Sequence, residues 1–211
     1  MYVPATPAAS ALTITPAALE SMAPPPIASR GATELRIGRE RLDVLTGHAA
    51  TITGSLTPAL AGRVVDLQRL GWRGWRTIAA TSTLAAGAFT LRYRAPEPGS
   101  ARLRVVFGGD AEDLPSRRRA GVLNVFRLAG ASWYGGGGSL ACGGWLTSTT
   151  MGVANRTLPC GTLVTLRYDG RSVRVPVIDR GPYVAGREFD LTEATKRALG
   201  FAGTGEVWST R

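Results

Sequence analysis

Lysine is almost missing from this 211-residue chain: Lys196 stands alone, and His48 is the single histidine. Acids are also scarce, 15 Asp and Glu against 25 Lys and Arg, so the formal net charge of +10 is almost wholly arginine. Neither Cys142 nor Cys160 sits in a CxxC pair, and His48 is remote from both, which argues against a zinc site; no metal and no cofactor is expected. No apolar run approaches the roughly 18 residues that a spanning helix needs, and mean hydropathy is near zero at +0.03. A membrane span is therefore not expected. Residues 1–29 contain no Lys or Arg, so the charged start of a secretory signal is not recognisable, and neither cysteine lies near the start to take a lipid. The arginines are scattered and mostly alternate with apolar residues, as in Leu91-Arg92-Tyr93-Arg94, without a helix-turn-helix, zinc-finger or RNA-binding motif. A nucleic-acid partner is not expected; a solvated basic surface suited to polyanionic surroundings is. The one dense run, Arg117-Arg118-Arg119, follows Glu112 and Asp113 and reads as a loop.

What is present supports real cores, since 44% of the residues are hydrophobic. Residues 1–34 are rich in Ala, Pro, Ser and Thr around Pro24-Pro25-Pro26 and read as a flexible leader. From 35 to 128 the chain reads as short strands, at 50–56, 63–70, 75–81, 89–94, 103–107 and 121–128, punctuated by Gly71, Gly74, Gly87, Pro96-Glu97-Pro98-Gly99 and Gly108-Gly109. Many short strands at this spacing predict an antiparallel β-sandwich of the immunoglobulin type. Trp72 and Trp75 are read as core tryptophans of that sandwich, with a carbohydrate-stacking surface as the alternative. The cysteines lie 18 positions apart. A disulfide is the favoured reading and implies an extracytoplasmic compartment, two unpaired buried thiols being the alternative.

From 129 to 211 the pattern changes. A strand at Ala131–Tyr134 runs into four glycines, Gly135 to Gly138. Two strands, Leu163–Tyr168 and Ser172–Ile178, flank Asp169-Gly170, a strong signal for a tight type I′ turn. Val173, Val175 and Val177 then share one face. Asp190 or Thr192 caps a short helix through Leu199, closed by Gly200, with Leu191, Ala194 and Leu199 on its inner side. A last strand spans Glu206–Thr210. This order suits a small mixed barrel.

Three motifs carry the chemistry: Ala131-Ser132-Trp133-Tyr134-Gly135, Asn155-Arg156-Thr157-Leu158-Pro159-Cys160-Gly161, and Val177-Ile178-Asp179-Arg180-Gly181-Pro182-Tyr183 followed by Phe189-Asp190-Leu191-Thr192-Glu193. Gly181 and Pro182 break the strand just past Asp179 and should leave its carboxylate at a sheet rim. Together the motifs resemble the rare lipoprotein A (RlpA) family, related to expansins, over most of 131–211. The cysteine pair resembles an actinobacterial-looking branch. The resemblance implies a mainly β protein ending in a six-stranded double-psi β-barrel with a short helix. It also implies a secreted, wall-associated protein acting on peptidoglycan glycan strands; a monomer is assumed.

Two of the family's functional positions differ. Gly144 stands where the family carries a Glu, and Asn155 where it carries a His; Asp179 matches the family's Asp, and Asp190 matches a second Asp of expansin-like proteins. Ordinary glycoside hydrolysis needs two carboxylates, which Asp179 and Asp190 would supply. A lytic transglycosylase needs less, because the sugar's own hydroxyl attacks and one residue serves as acid and then base, a task for Asp179 alone. Asn155, Ser132, Tyr134, Arg180 and Tyr183 are the candidate substrate contacts. Arg180 would oppose an acid role for Asp179 if its guanidinium turned inward. The alternative function is a non-catalytic, expansin-like glycan-binding and wall-loosening module.

Overall fold

The computed structural model describes Met1 and residues 30–211; the expected leader lies outside them up to residue 29. Its last residues are anchored. Arg30 donates to the Asp110 and Asp113 carbonyls, Gly31 N to Glu112 O at 2.7 Å, and Thr33 Oγ1 to Leu114 O at 2.9 Å. Residues 30–33 are thus tied to the Asp110–Leu114 segment.

The N-terminal half is built of β1 (Glu34–Arg41), β2 (Asp43–Leu45), β3 (Ala49–Thr57), β4 (Val64–Gly71), β5 (Gly74–Ser82), β6 (Ala88–Arg94), β7 (Gly99–Phe107) and β8 (Ser116–Tyr134). One antiparallel sheet has the order β1-β3-β6; the other runs β5-β4-β7-β8 with β2 alongside β8. Strict alternation on β6 and β7 buries Phe89, Leu91, Leu103, Val105 and Phe107, which join Leu35, Ile52, Leu56, Val65 and Leu67 in one apolar core. Two tryptophans depart from expectation. Trp72 is 87% exposed because it and Arg73 form the tip of the β4–β5 hairpin, beyond the paired Gly71 and Gly74; Trp75, 37% exposed, lies on β5 opposite Leu70 with its ring under the Arg104 guanidinium. Neither enters the core.

A second departure is β8. Its 19 residues absorb Arg117-Arg118-Arg119, read as a loop, and run through the expected boundary at 128/129. Within it Gly130 serves a close approach: a Cβ there would lie 2.0 Å from Gly186 O. The strand belongs to both halves.

The C-terminal half adds β9 (Gly138–Ser139), β10 (Trp145–Leu146), β11 (Val153–Ala154), β12 (Leu163–Tyr168), β13 (Arg171–Asp179), β14 (Phe189–Thr192), helix α1 (Glu193–Leu199) and β15 (Gly205–Ser209). Six strands close a ring, β8-β14-β11-β13-β12-β15 and back to β8, with parallel pairs β8–β14 and β11–β13. The β12–β13 hairpin turns on Asp169 (φ 43°) and Gly170 (φ 78°), the positive dihedrals of the predicted turn. Thr192, not Asp190, caps α1, and Gly200 ends it in the left-handed region. Val164, Leu166, Val175, Val177, Phe189, Leu191, Leu199 and Val207 fill the barrel. Among the described residues no helix is long and apolar enough to cross a membrane.

Candidate active site

Register places the candidate residues in one row. Ser132 on β8 pairs with Asp190 on β14, Asp190 with Ala154 on β11, and Ala154 with Asp179 on β13. Strands lie about 4.8 Å apart, so two steps separate the Asp179 and Asp190 backbones by roughly 10 Å. Residues separated by 58 positions in sequence, Ser132 and Asp190, meet here: the serine hydroxyl donates to Asp190 Oδ1 at 2.8 Å.

Asp179 ends β13, where the strand breaks. Its Oδ1 accepts from Ala141 N at 2.9 Å and from its neighbour Arg180 N at 2.8 Å. Oδ2 has no hydrogen-bond partner among the described residues, and the side chain is half-buried. The two N–H groups thus orient the carboxylate and leave one oxygen to act. Ala141 belongs to a tight loop closed by Gly143 N to Leu140 O at 2.9 Å and docked by Cys142 N to Ile178 O at 3.2 Å. A Cys142–Cys160 disulfide, with Cα atoms 5.6 Å apart, joins this loop to the Asn155–Gly161 segment, as the favoured reading of the cysteines has it.

Asp190 is the more burdened carboxyl. Burial raises its pKa most; the Ser132 hydrogen bond and the Arg187 cation pull it back, and the charge of Asp179 pushes it up again. Tyr134 presents its hydroxyl to the same pair. That hydroxyl is buried without a well-formed hydrogen bond, and burial, then the Asp179 and Asp190 carboxylates, hold the phenol above its ordinary pKa.

Three of the predicted contacts sit differently from expectation. Asn155 is 3% exposed and frames its own loop: Oδ1 accepts from Thr157 N at 3.0 Å and Leu158 N at 2.8 Å, and Nδ2 donates to Glu188 O at 3.1 Å. Its amide is committed to the fold. Arg180 turns away from Asp179 to the same loop, donating to the Asn155 and Leu158 carbonyls at 3.1 and 3.0 Å and approaching Cys160 Sγ at 3.1 Å. It positions backbone rather than offering a free cation to a ligand. Ser132 is buried and faces Asp190. Tyr183 is 79% exposed beside Asp179 in sequence, and Trp145 is 65% exposed across the gap left by the glycine loop. Trp133 points outward under Lys196 Nζ, 3.7 Å from the ring centroid.

Gly144 has φ 87° and Gly143 φ 92°. Both lie in the left-handed region that a side chain strains to adopt, so the backbone there suits glycine and not the glutamate of the family pattern. Sequence reasoning missed Arg187, two residues before β14 and three before Asp190; no motif marks it, yet its charge acts on Asp190. Among the described residues no three His, Cys, Asp or Glu side chains gather as metal ligands would.

The raised pKa of Asp190 has a stability consequence. A folded-state pKa above the unfolded value stabilises fully at low pH, and that contribution is lost as pH rises through the folded value. Asp190→Asn keeps an acceptor for Ser132 and removes the charge. Its melting temperature is expected to match the parent at about pH 4 and to exceed it by a few degrees at about pH 8, measured by thermal unfolding across that range.

The closed six-strand ring with its parallel pairs and single short helix is a double-psi β-barrel. Residues 128–208 match the family model described as lytic transglycolase, and the barrel is similar to RlpA proteins. Over 82 residues the chain is 43% identical to the probable endolytic peptidoglycan transglycosylase RlpA of Aquifex aeolicus, covering 36% of each chain. Over 121 residues it is 38% identical to the protein of the same name from Synechocystis, covering 49% of this chain and 37% of that one. The matched segment thus spans little more than a third of either relative. Among solved structures, Streptomyces papain inhibitor aligns over 39% of this chain and 91% of its own, at 28% identity and a TM-score of 0.33.

Proposed function

We propose that the barrel acts outside the cytoplasm on the glycan strands of peptidoglycan, as a lytic transglycosylase in which Asp179 is the single acid and base. The observation that carries this reading is the orientation of Asp179: two backbone N–H groups hold Oδ1, and the buried Tyr134 hydroxyl faces the same carboxyl. In the reaction Asp179 gives its proton to the glycosidic oxygen and that bond breaks. The muramyl C6 hydroxyl then attacks C1, and its proton returns to Asp179. No water is consumed, and the product is a 1,6-anhydro sugar. Asp190, its pKa raised first by burial, lies in the same row beside it. Relatives named as endolytic peptidoglycan transglycosylases support this substrate class.

A second reading is favoured by the loop geometry. With Gly144 in a glycine conformation and Asn155 locked in its turn, neither of these two positions gives Asp179 an acid–base partner, as suits a barrel that binds glycan without cutting it. Mass spectrometry of peptidoglycan incubated with the protein and with Asp179→Asn separates the two. Anhydro-muramyl products are expected from the parent, reduced at least about 100-fold in the variant. Pelleting with the wall but no product from either protein would establish the binding module instead.

A further inference from the structure

The outward face of the N-terminal sheet carries charge that no internal partner uses. Cross-strand pairs place Thr77, Gln68, Arg104 and Arg119 in one row over β5, β4, β7 and β8. Leu67, Leu103 and Val105, their neighbours along the strands, are buried, so this row points away from the core. Arg102 flanks it on one side, opposite Val122, and Arg117 on the other, opposite Val106. Asp66 is the one acid in these three rows. Among the described residues none of Arg102, Arg104, Arg117 and Arg119 forms an ion pair; the six ion pairs lie elsewhere.

Like charges directly opposite on neighbouring strands destabilise a sheet, and Arg104 faces Arg119 in register. Arg104 turns from Arg119 toward β4 and β5: its Nε donates to Gln68 Oε1 at 2.8 Å, and its guanidinium lies over the Trp75 ring at 4.3 Å, so the face offers separated cations that a polyanion would bridge. Between Arg104 and Arg117 a shallow cavity of about 350 Å³ is lined by Val106 and Pro115. At the hairpin tip Trp72 offers an exposed indole beside Arg73, 4.1 Å from its centroid. Fixed cations, an apolar patch and flat exposed indoles are the parts that recognise an acidic sugar polymer, its carboxylates by the guanidinium forks and its ring faces by stacking.

We propose that this face, through Arg104, Arg117, Arg119, Trp75 and Trp72, binds an acidic polysaccharide. The site is separate from the carboxylate row of the barrel, so it stands or falls independently of the transglycosylase reading.

The test measures binding of the whole chain to polygalacturonate, to neutral dextran and to a single-stranded DNA oligonucleotide over a salt series. Polygalacturonate is expected to bind with an affinity that falls as salt rises, and dextran not to bind. Arg117→Gln/Arg119→Gln is expected to lose at least about tenfold in affinity while melting at the parent's temperature or above it, because a like-charge pair is relieved. Trp72→Ala, at an exposed tip, is expected to lose several-fold without loss of stability. Failure to bind polygalacturonate, an unchanged affinity in the double arginine variant, or tighter binding of DNA than of polygalacturonate would each overturn the assignment.

Discussion

Phe126→Ala is expected to lower the unfolding free energy by about 3–5 kcal/mol, the usual range for emptying a fully buried aromatic site. Phe126 is 0% exposed yet belongs to neither apolar cluster. It sits on β8 at the joint, in register with Leu45 of β2, with its ring centroid 5.8 Å from that of Trp208 on β15. Its carbonyl accepts from both Thr46 N and Thr46 Oγ1, at 2.7 and 2.9 Å. Arg167 on β12 crosses the same joint to Asp43, at 2.9 Å, and Asp43 is held in turn by Asn124 at 2.8 Å. Truncation therefore removes packing that both halves share. Urea unfolding followed by tryptophan fluorescence checks it, with Val122→Ala, exposed on the same strand, as a control expected within about 0.5 kcal/mol. A Phe126→Ala shift no larger than the control's would mean that the halves are joined by the strand alone.

Removing the Cys142–Cys160 bond is expected to cost about 3 kcal/mol in the chain-entropy account for a loop of this length, or roughly 6–12 °C in melting temperature. Its second effect is on Asp179. The bond ties the Leu140–Gly144 loop, whose Ala141 N–H orients the carboxylate, to the segment held by Arg180 and by Gly161 N to Val177 O at 2.8 Å. Cys142→Ser/Cys160→Ser is thus expected to lose glycan turnover or glycan affinity along with stability. Reductant should reproduce both losses in the parent and change nothing in the variant. A melting temperature indifferent to reductant in the parent would sink this prediction.

Much of the barrel was legible before any coordinates. The Asp169-Gly170 turn, the Thr192 cap and Gly200 stop of α1, and the inward Val175 and Val177 follow from local sterics and period, and the three motifs point to Asp179 and Asp190. The errors share one cause. Asn155 resembles a ligand contact until Glu188 O and two backbone amides take its polar atoms. Arg180 resembles a neighbour of the Asp179 carboxylate until it turns to the Asn155 and Leu158 carbonyls. Trp72 and Trp75 resemble core residues until Trp72 is placed at the tip of the β4–β5 hairpin and Trp75 under Arg104.

By itself, then, the sequence determined the strands, the turn, the helix ends and the kinship of the barrel, because backbone preference and side-chain period act between near neighbours in the chain. The tertiary structure alone decided that β8 serves both halves, that Asp179 and Asp190 share a row with Ser132, and that Arg104 faces Arg119. Each of these depends on register between strands far apart in sequence. A shift of a single residue would turn every one of those side chains to the opposite face.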